Sequence, residues 1–297
     1  MTAEDWNTQV DYLLDARRKN SWFNENYLNF LFFDVWKMNR KPCRILEVGC
    51  GTGNVPFWLL PHFPVGTQYT GIDNAETLLE EAEKTFKDSP FNMNFIKGNA
   101  SELDFPDNTF DIVLTRAVLM HLEKPLQTVQ EMVRVTRPGG AVVSCEASRN
   151  GWYALFNIAE VDEMANIPQG MIQRTNQGIK ERTGIDYNIG MKLPVIFHQN
   201  GLKEIECRFN DRISCILPPD LTPEMVNMYE WMCRTGFGAL DDKHASEWKQ
   251  RLLRDGATEE EVDREIARFQ HVDFAGKGKT YHTVYPQLFV FCRGIKP

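Results

Sequence analysis

Residues 44–54, RILEVGCGTGN, decide the fold of this chain. The first five have the pattern of a buried strand, which stops abruptly in a glycine-rich turn, and residues 55–63 follow with the spacing of an amphipathic helix. Because glycine has no side chain, the backbone N–H groups of such a turn can approach a ligand closely at the helix N-terminus. A strand, a tight turn and a helix N-terminus in this order predict a nucleotide pocket.

The spacing of the glycines argues against two common kinds of nucleotide site. A dinucleotide fingerprint needs glycine at the first, third and sixth positions, and Asn54 stands at the sixth. A Walker phosphate loop needs Gly-Lys-Ser/Thr after the turn, and that tripeptide is absent. The pocket is therefore predicted for a nucleotide other than NAD, FAD or a nucleoside triphosphate.

The turn resembles motif I of the class I S-adenosylmethionine-dependent methyltransferases, whose common form is E/D-x-G-x-G-x-G. Glu47, Gly49, Gly51 and Gly53 match every specified position of that motif. A three-glycine segment also occurs in ordinary tight turns, so the residues downstream decide between the two interpretations.

A second motif follows about twenty residues after the turn. Residues 68–72 have the pattern of a strand that ends at Asp73, whose carboxylate can accept hydrogen bonds from both hydroxyls of a ribose. A helix is predicted over 75–87, so capping of that helix by Asp73 or Asn74 is the alternative role.

The next part of the chain extends the resemblance. After a short predicted strand at 94–97, residues 98–111, GNASELDFPDNTFD, are similar to the family segment G-D-A-x-x-L-P-F-x-D-x-x-F-D. Asn99 replaces the usual Asp there; it can accept a hydrogen bond from the adenine amino group but carries no charge. The elements predicted after this segment follow the order that is typical of the family. They are a buried strand at 111–115, the segment 116–125, a helix at 126–136, a turn at 137–140 and a strand at 141–146.

The resemblance implies an α/β fold, with a Rossmann-like, seven-stranded, mostly parallel sheet flanked by helices, N-terminal helices and a helical lid insertion. It implies S-adenosylmethionine as cofactor and S-adenosylhomocysteine as product, with no metal. The residues implied in cofactor binding are Glu47, Gly49, Cys50, Gly51, Gly53, Asp73, Asn74, Asn99, Ala100 and Thr115.

Six segments are predicted along the chain. They are an N-terminal helical cover (1–40), the cofactor-binding core (41–149), a helical insertion (150–192), a continuation of the core (193–217), a helical lid (218–280) and the final core strand (281–297). Helices are expected at 222–235, 243–255 and 258–270, the last with a capping box from Thr258 to Glu261. Glycines at 236, 238, 276 and 278 could act as hinges or could be simple loop glycines.

An acceptor with a hydroxyl or an acidic carbon needs a general base, and two candidates lie at the carboxyl ends of core strands. They are His121 and Glu146. His121 could instead pack beside Glu123, and Glu146 could instead pair with Arg149. Tyr281 and His282, before the last strand, are weaker candidates.

The composition limits the partners. The formal net charge of −8 disfavours nonspecific nucleic-acid binding, and there is no apolar run of the length of about 20 residues that a membrane span needs. The seven cysteines include no Cys-x-x-Cys pair, so neither disulfides nor structural zinc is expected. The N-terminus lacks the features of a secretory signal, which predicts a cytoplasmic protein.

We expect a small-molecule methyltransferase similar to the ubiquinone/menaquinone-biosynthesis branch of the family. Three alternatives stay open: a protein or peptide acceptor, a protein that binds the cofactor without transferring methyl, and an interaction module with a degenerate pocket. The aromatic segment 22–36 could cover the site or pair two subunits of a homo-oligomer.

Overall fold

The computed structural model describes residues 3–11, 13–14, 24–38, 40–155, 157–158, 169–217, 219–223, 225–226, 242–271, 283–286 and 288–297. The chain divides into two compact units. The first comprises Met1–Ala147, Ile189–Asp211 and Phe289–Pro297, and the second comprises Ser148–Asn188 and Arg212–Leu288.

The first unit is built on a seven-stranded sheet. Its strands are β1 Arg44–Val48, β2 Gln68–Asp73, β3 Asn92–Lys97, β4 Phe110–Arg116, β5 Thr136–Ala147, β7 Lys203–Phe209 and β10 Phe289–Ile295. The order is β3-β2-β1-β4-β5-β10-β7; the first five strands pair in parallel, and β10 runs antiparallel to both of its neighbours. The predicted seven-stranded, mostly parallel α/β fold is confirmed.

The strand order places a crevice beside β1. The chain proceeds from β1 outward to β2 and β3, and then returns to the opposite side of β1 as β4. In open α/β sheets, ligands bind outside the carboxyl ends of the strands at such a reversal. The glycine turn directly follows β1 and therefore lies at that point.

Helices flank the sheet in the first unit. They are α1 Ala3–Asn7, α2 Glu25–Asn29, α3 Asn54–Leu59, α4 Glu76–Phe86, α5 Pro125–Val135 and α8 Leu193–Gln199, with a π-helix at Phe30–Val35 and 3₁₀ turns at Leu60–His62, Leu119–His121 and Ile189–Lys192. In α5, Val129, Met132 and Val135 recur at helical spacing and are fully buried. Packing of that stripe with Val113 and Val142 of the sheet forms the main hydrophobic core.

One predicted turn is part of a strand. Residues 137–140 belong to β5, which begins at Thr136. Phe110 of β4 is opposite Thr136 and Ile112 is opposite Ala141, so the additional residues of β5 form an irregularity in the ladder. Gly139, with φ of 72°, supplies the left-handed backbone conformation there.

The second unit contains helices and a small sheet. The helices are α6 Arg149–Leu155, α7 Gln169–Thr183, α9 Asp242–Arg254 and α10 Glu259–His271, and the strands β6 Asn157–Ile158, β8 Ile213–Ile216 and β9 Thr283–Pro286 form an antiparallel sheet in the order β6-β9-β8. Helices α9 and α10 agree with the ranges 243–255 and 258–270. The sheet was not predicted, because its strands are short and lie far apart in sequence. Most of 222–235 and all four hinge glycines lie outside the described residues.

Every helix within the described ranges is too short or too polar to span a lipid bilayer. Across the same ranges, no group of His, Cys, Asp and Glu side chains is arranged to hold a metal ion.

Candidate functional site

A cavity of about 370 Å³ opens at the carboxyl ends of β1, β2 and β4 in the first unit. Eight of the ten residues implied in cofactor binding line it, namely Glu47, Gly49, Cys50, Gly51, Asp73, Asn74, Asn99 and Ala100. His121 lines it as well, whereas Gly53, Thr115 and Glu146 do not belong to its lining. The volume lies within the range of small-molecule sites, about 300–1,000 Å³.

Two glycines of the turn serve the site in different ways. A Cβ on Gly49 would lie 2.5 Å from Cγ2 of Val118, so only glycine allows the turn to pack against that residue. A Cβ on Gly51 would meet nothing closer than Cδ1 of Leu13 at 3.7 Å, and the residue has φ of 52°. Gly51 therefore keeps space in the cavity open, and its backbone conformation is one that side chains disfavour.

Asp73 connects the glycine turn to the start of α4. Its Oδ2 accepts a hydrogen bond from the Gly51 N–H at 2.8 Å, and its Oδ1 accepts one from the Ala75 N–H at 3.0 Å. Burial raises the pKa of Asp73, and the N–H donors of Ala75, Gly51 and Asn74 oppose that rise. A carboxylate can accept about four hydrogen bonds, so capacity remains for a ligand. Helix entry and ligand binding are thus compatible roles for Asp73.

Glu47 lies at the floor of the cavity in a buried pair. The hydroxyl of Tyr69 donates to its Oε2, and both side chains are almost fully inaccessible to solvent. Burial raises the pKa of Glu47 to about 8, and the Tyr69 hydroxyl and the charge of Arg116 oppose the rise. Arg116 also lines the cavity. Sequence reasoning missed it, because a basic residue after a strand carries no signal of its own.

Asn99 lies where β3 leads into the next loop. Its Oδ1 accepts a hydrogen bond from the Ser101 N–H at 3.0 Å, which fixes the loop from Gly98 to Ser101 along the cavity. The side-chain amide group is a donor, and the oxygen retains a second lone pair, so Asn99 can still bind a ligand.

The N-terminal segment forms part of the cavity wall. Trp6, Gln9 and Leu13 contribute to the lining, and the ring of Trp6 meets the ring of His121 edge-on with centroids 5.1 Å apart. Burial lowers the pKa of His121 to about 4, so its imidazole is neutral at pH 7. No local pattern within residues 1–40 identified Trp6, Gln9 or Leu13 as residues of the cavity wall.

Two predicted site residues lie within the sheet, behind the cavity. The hydroxyl groups of Thr115 and Ser144 are 2.9 Å apart, and both side chains are buried between β4 and β5. Glu146 is fully buried, and its carboxylate accepts hydrogen bonds from the backbone N–H groups of Val118, Leu119 and Met120 at 3.1, 3.0 and 3.2 Å. Tyr281 and His282 lie outside the described residues.

The sequence comparisons with known proteins concern mainly the segment that supplies most of the cavity lining. Residues 46–144 match the family model described as a methyltransferase domain. An uncharacterized methyltransferase of Schizosaccharomyces pombe is 40% identical over 118 residues, 37% of this chain and 42% of that protein. A demethylmenaquinone methyltransferase of Listeria welshimeri is 33% identical over 122 residues, 40% of this chain and 52% of that protein. The chain thus spans about half the length of the curated relatives it matches.

Solved structures agree in fold. The YcgJ protein of Bacillus subtilis superposes with a TM-score of 0.53 at 17% identity, covering 91% of this chain and 98% of that one. Phosphoethanolamine N-methyltransferase 2 of Haemonchus contortus, solved with phosphomonomethylethanolamine and S-adenosylhomocysteine, superposes with a TM-score of 0.52 at 15% identity. It covers all of this chain and 61% of that one. At these identities the likeness concerns the fold alone.

Proposed function

Because residues 46–144 match a methyltransferase domain and the relatives that share this part are methyltransferases, we propose that the protein is a class I S-adenosylmethionine-dependent methyltransferase. It would transfer a methyl group from that cofactor to a small-molecule acceptor. The observation that carries the proposal is the cavity at the end of β1, where the glycine turn, Asp73 and His121 meet. S-adenosylhomocysteine would be the product.

The residues present fit the cofactor. Gly51 leaves space beside the turn that a Cβ would enter, and Asp73, held by two backbone N–H groups, retains acceptor capacity for ribose hydroxyls. A positively charged amino group in the cavity would favour the ionised form of Glu47, whose pKa burial raises to about 8. Asn99 and Ala100 would lie beside the adenine of the bound cofactor.

The chain itself would position the reactants and exclude water. When bound, S-adenosylmethionine supplies an electrophilic methyl group on a sulfonium sulfur. Trp6, Leu13 and Leu122 form apolar wall in the cavity, which lowers the local dielectric around the reacting atoms. Neutral His121 can accept a hydrogen bond from the acceptor and orient it. With a pKa of about 4 it is a weak base, which suits an acceptor whose own proton is acidic.

The acceptor class rests on two observations. Relatives named demethylmenaquinone methyltransferases share 33% identity over 122 residues with the matched part of the chain. The net charge of −8 makes a nucleic-acid acceptor unfavourable. We therefore propose a small molecule with a phenolic hydroxyl or an acidic carbon as the first acceptor class to test.

Ligand-dependent thermal unfolding tests the cofactor. S-adenosylmethionine and S-adenosylhomocysteine at about a hundred times their dissociation constants should each add roughly 2.7 kcal/mol to the free energy of unfolding, a shift of several degrees in Tm. NAD should leave Tm unchanged. Asp73→Ala should weaken cofactor binding by about 1.5 to 3 kcal/mol. Asp88→Ala, which removes a carboxylate with 89% of its side chain exposed, is the control and should bind as wild type does.

A transfer assay tests the activity. Formation of S-adenosylhomocysteine from S-adenosylmethionine should depend on a phenol, quinol or acidic carbon compound in a panel that also holds amines, thiols and a peptide mixture. Turnover with the peptide mixture alone would refute the small-molecule acceptor. Cofactor binding without turnover on any acceptor would favour a protein that binds the cofactor for another purpose.

A further inference from the structure

We propose that Glu146 is the positioning residue of the turn at 118–121, in which Val118 and His121 line the cavity, and that it acts through these two residues without touching the reactants. For catalysis the inference rests on the proposed function, whereas the positioning itself can be tested without any activity. The argument begins with three backbone N–H groups that converge on one carboxylate.

The hydrogen bonds of Glu146 cap the start of the 3₁₀ turn Leu119–His121, although Glu146 belongs to strand β5. Oε1 accepts from Val118 and Leu119, and Oε2 accepts from Met120. The first N–H groups of a short helical turn have no partner within the turn, and a carboxylate supplied from elsewhere satisfies them. Glu146 stands at the end of β5, beside β4, and the side chain reaches the turn that follows β4.

The burial of Glu146 shows how strongly the fold depends on these bonds. The side chain is 0% exposed, and a buried carboxylate is costly unless it is hydrogen-bonded. Burial raises the pKa of Glu146 to about 7, while the backbone donors of residues 118–120 oppose the rise. The Ser144 side chain also hydrogen-bonds to Glu146 and opposes the rise, so the carboxylate is directed to these groups of the protein, and it is absent from the cavity lining.

The backbone just before the anchored turn is strained. Ala117 has φ of 53°, a left-handed conformation that is unfavourable for a residue with a Cβ. Its N–H donates to the Cys145 carbonyl at 2.8 Å, and the next three N–H groups donate to Glu146. Strained conformations persist where the surroundings hold both sides, so Cys145 and Glu146 together maintain this one.

Two cavity contacts follow from that anchoring. Val118 lies against Gly49 so closely that a Cβ on the glycine would be 2.5 Å from it. His121, at the end of the anchored turn, meets Trp6 edge-on. Both Val118 and His121 line the cavity, so loss of the Glu146 carboxylate would displace one wall relative to the glycine turn.

The test compares Glu146→Gln and Glu146→Ala with Glu131→Gln as control. Glu131 also accepts a backbone N–H, from Leu103 at 2.9 Å, but Leu103 is absent from the cavity lining, whereas Val118, which Glu146 holds, belongs to it. The readout is the NMR chemical shift of the His121 ring protons, which is sensitive to the adjacent Trp6 ring. The signals that disappear in His121→Gln identify these protons. In Glu146→Gln, the side-chain NH₂ must face an N–H donor, so the His121 signals should move well beyond any change seen in Glu131→Gln.

The effect on catalysis is measured separately from the effect on the cavity wall. With an acceptor in hand, Glu146→Gln should lower kcat between about 10-fold and about 100-fold, the scale of a small misplacement of reacting groups, and Glu131→Gln should not. Wild-type His121 signals in a folded Glu146→Gln would overturn the proposal. If both Glu146 variants fail to fold, amide exchange in the wild type decides: slow exchange at Val118, Leu119 and Met120 supports the anchoring, and exchange at the rate of exposed loops refutes it. Failure of the wild type to bind cofactor would instead count against the proposed function.

Discussion

At the scale of single residues, burial sets the charge state of the cavity. Glu47 and His121 both lie in its wall, and burial raises the pKa of the first to about 8 and lowers that of the second to about 4. Both groups are therefore predominantly uncharged near pH 7 in the absence of a ligand. A ligand cation would favour the ionised form of Glu47, so its binding should release a proton.

His121 should contribute a pH-dependent part of the stability. Its folded pKa of about 4 lies below the ordinary value of 6.5, so the folded state binds this proton less readily than the unfolded state does. The contribution is complete above pH 6.5 and is lost as the pH falls toward 4. Between about pH 7.5 and about pH 5, the wild type should lose on the order of 2 kcal/mol more than His121→Gln in urea unfolding. Equal losses in the two proteins would show that His121 titrates normally.

Variants of Gly51 can show whether the residue matters for the space that it leaves in the cavity or for its backbone conformation. Gly51→Ala and Gly201→Ala both place a side chain at positive φ, 52° and 81°, and each should cost about 1–2 kcal/mol in urea unfolding. Gly201 has nothing within 4 Å of an added Cβ and is outside the cavity lining. Calorimetry should therefore find weakened cofactor binding in Gly51→Ala alone. Equal affinities would mean that the space beside Gly51 is not used by the ligand.

At the scale of elements, α1 is held to α4 because a side chain of α1 caps the N-terminus of α4, which lies far from it in sequence. Oδ1 of Asn7 accepts a hydrogen bond from the Thr77 hydroxyl at 2.6 Å and from the Thr77 N–H at 3.3 Å. Thr77 lies in the first turn of α4, where N–H groups lack partners within the helix. The same attachment keeps Trp6 over the cavity.

Asn7→Ala should release α1 and thereby open the cavity. We expect a loss of about 1 kcal/mol in the free energy of unfolding, together with faster dissociation of the cofactor in stopped-flow measurements. Thr8→Ala is the matched control, since among the described contacts the Thr8 hydroxyl donates to the Asp5 carbonyl and accepts from the Gln9 amide, both within its own segment, and meets no part of α4. An unchanged dissociation rate in Asn7→Ala would show that α1 does not retain the ligand.

The start of α10 confirms the predicted capping box. The Thr258 N–H donates to Oε2 of Glu261 at 2.9 Å, and the Glu261 N–H donates to the Thr258 hydroxyl at 3.3 Å. Thr258→Ala should destabilise α10 by about 1 kcal/mol, measured as the free energy of opening in amide exchange of that helix. Thr258→Ser retains the hydroxyl and serves as the control. Equal protection in Ala and Ser variants would contradict a stabilising cap.

At the scale of the whole molecule, local patterns predicted the positions of the first five strands along the chain and of the helices between them. They succeeded because β1, β4 and the second half of β5 are nearly continuous buried runs, which residue type at short spacing reveals. They did not predict that β10 lies between β5 and β7, or that β6, β8 and β9 form a second sheet. Those pairings join segments separated by many residues, and no local signal specifies them.

The sequence by itself determined the glycine turn, the acidic residue that ends β2 and the resemblance of the core to methyltransferase domains, because each of these depends on residue type at short spacing. Only the tertiary structure decided that Trp6, Gln9 and Leu13 complete the cavity and that Arg116 faces it. The same holds for Glu146, whose sequence position suggests a base, whereas its fully buried carboxylate binds the N–H groups of residues 118–120. The physical reason is that burial and hydrogen-bond partners depend on chain packing, and they determine whether a carboxylate meets a ligand or the backbone.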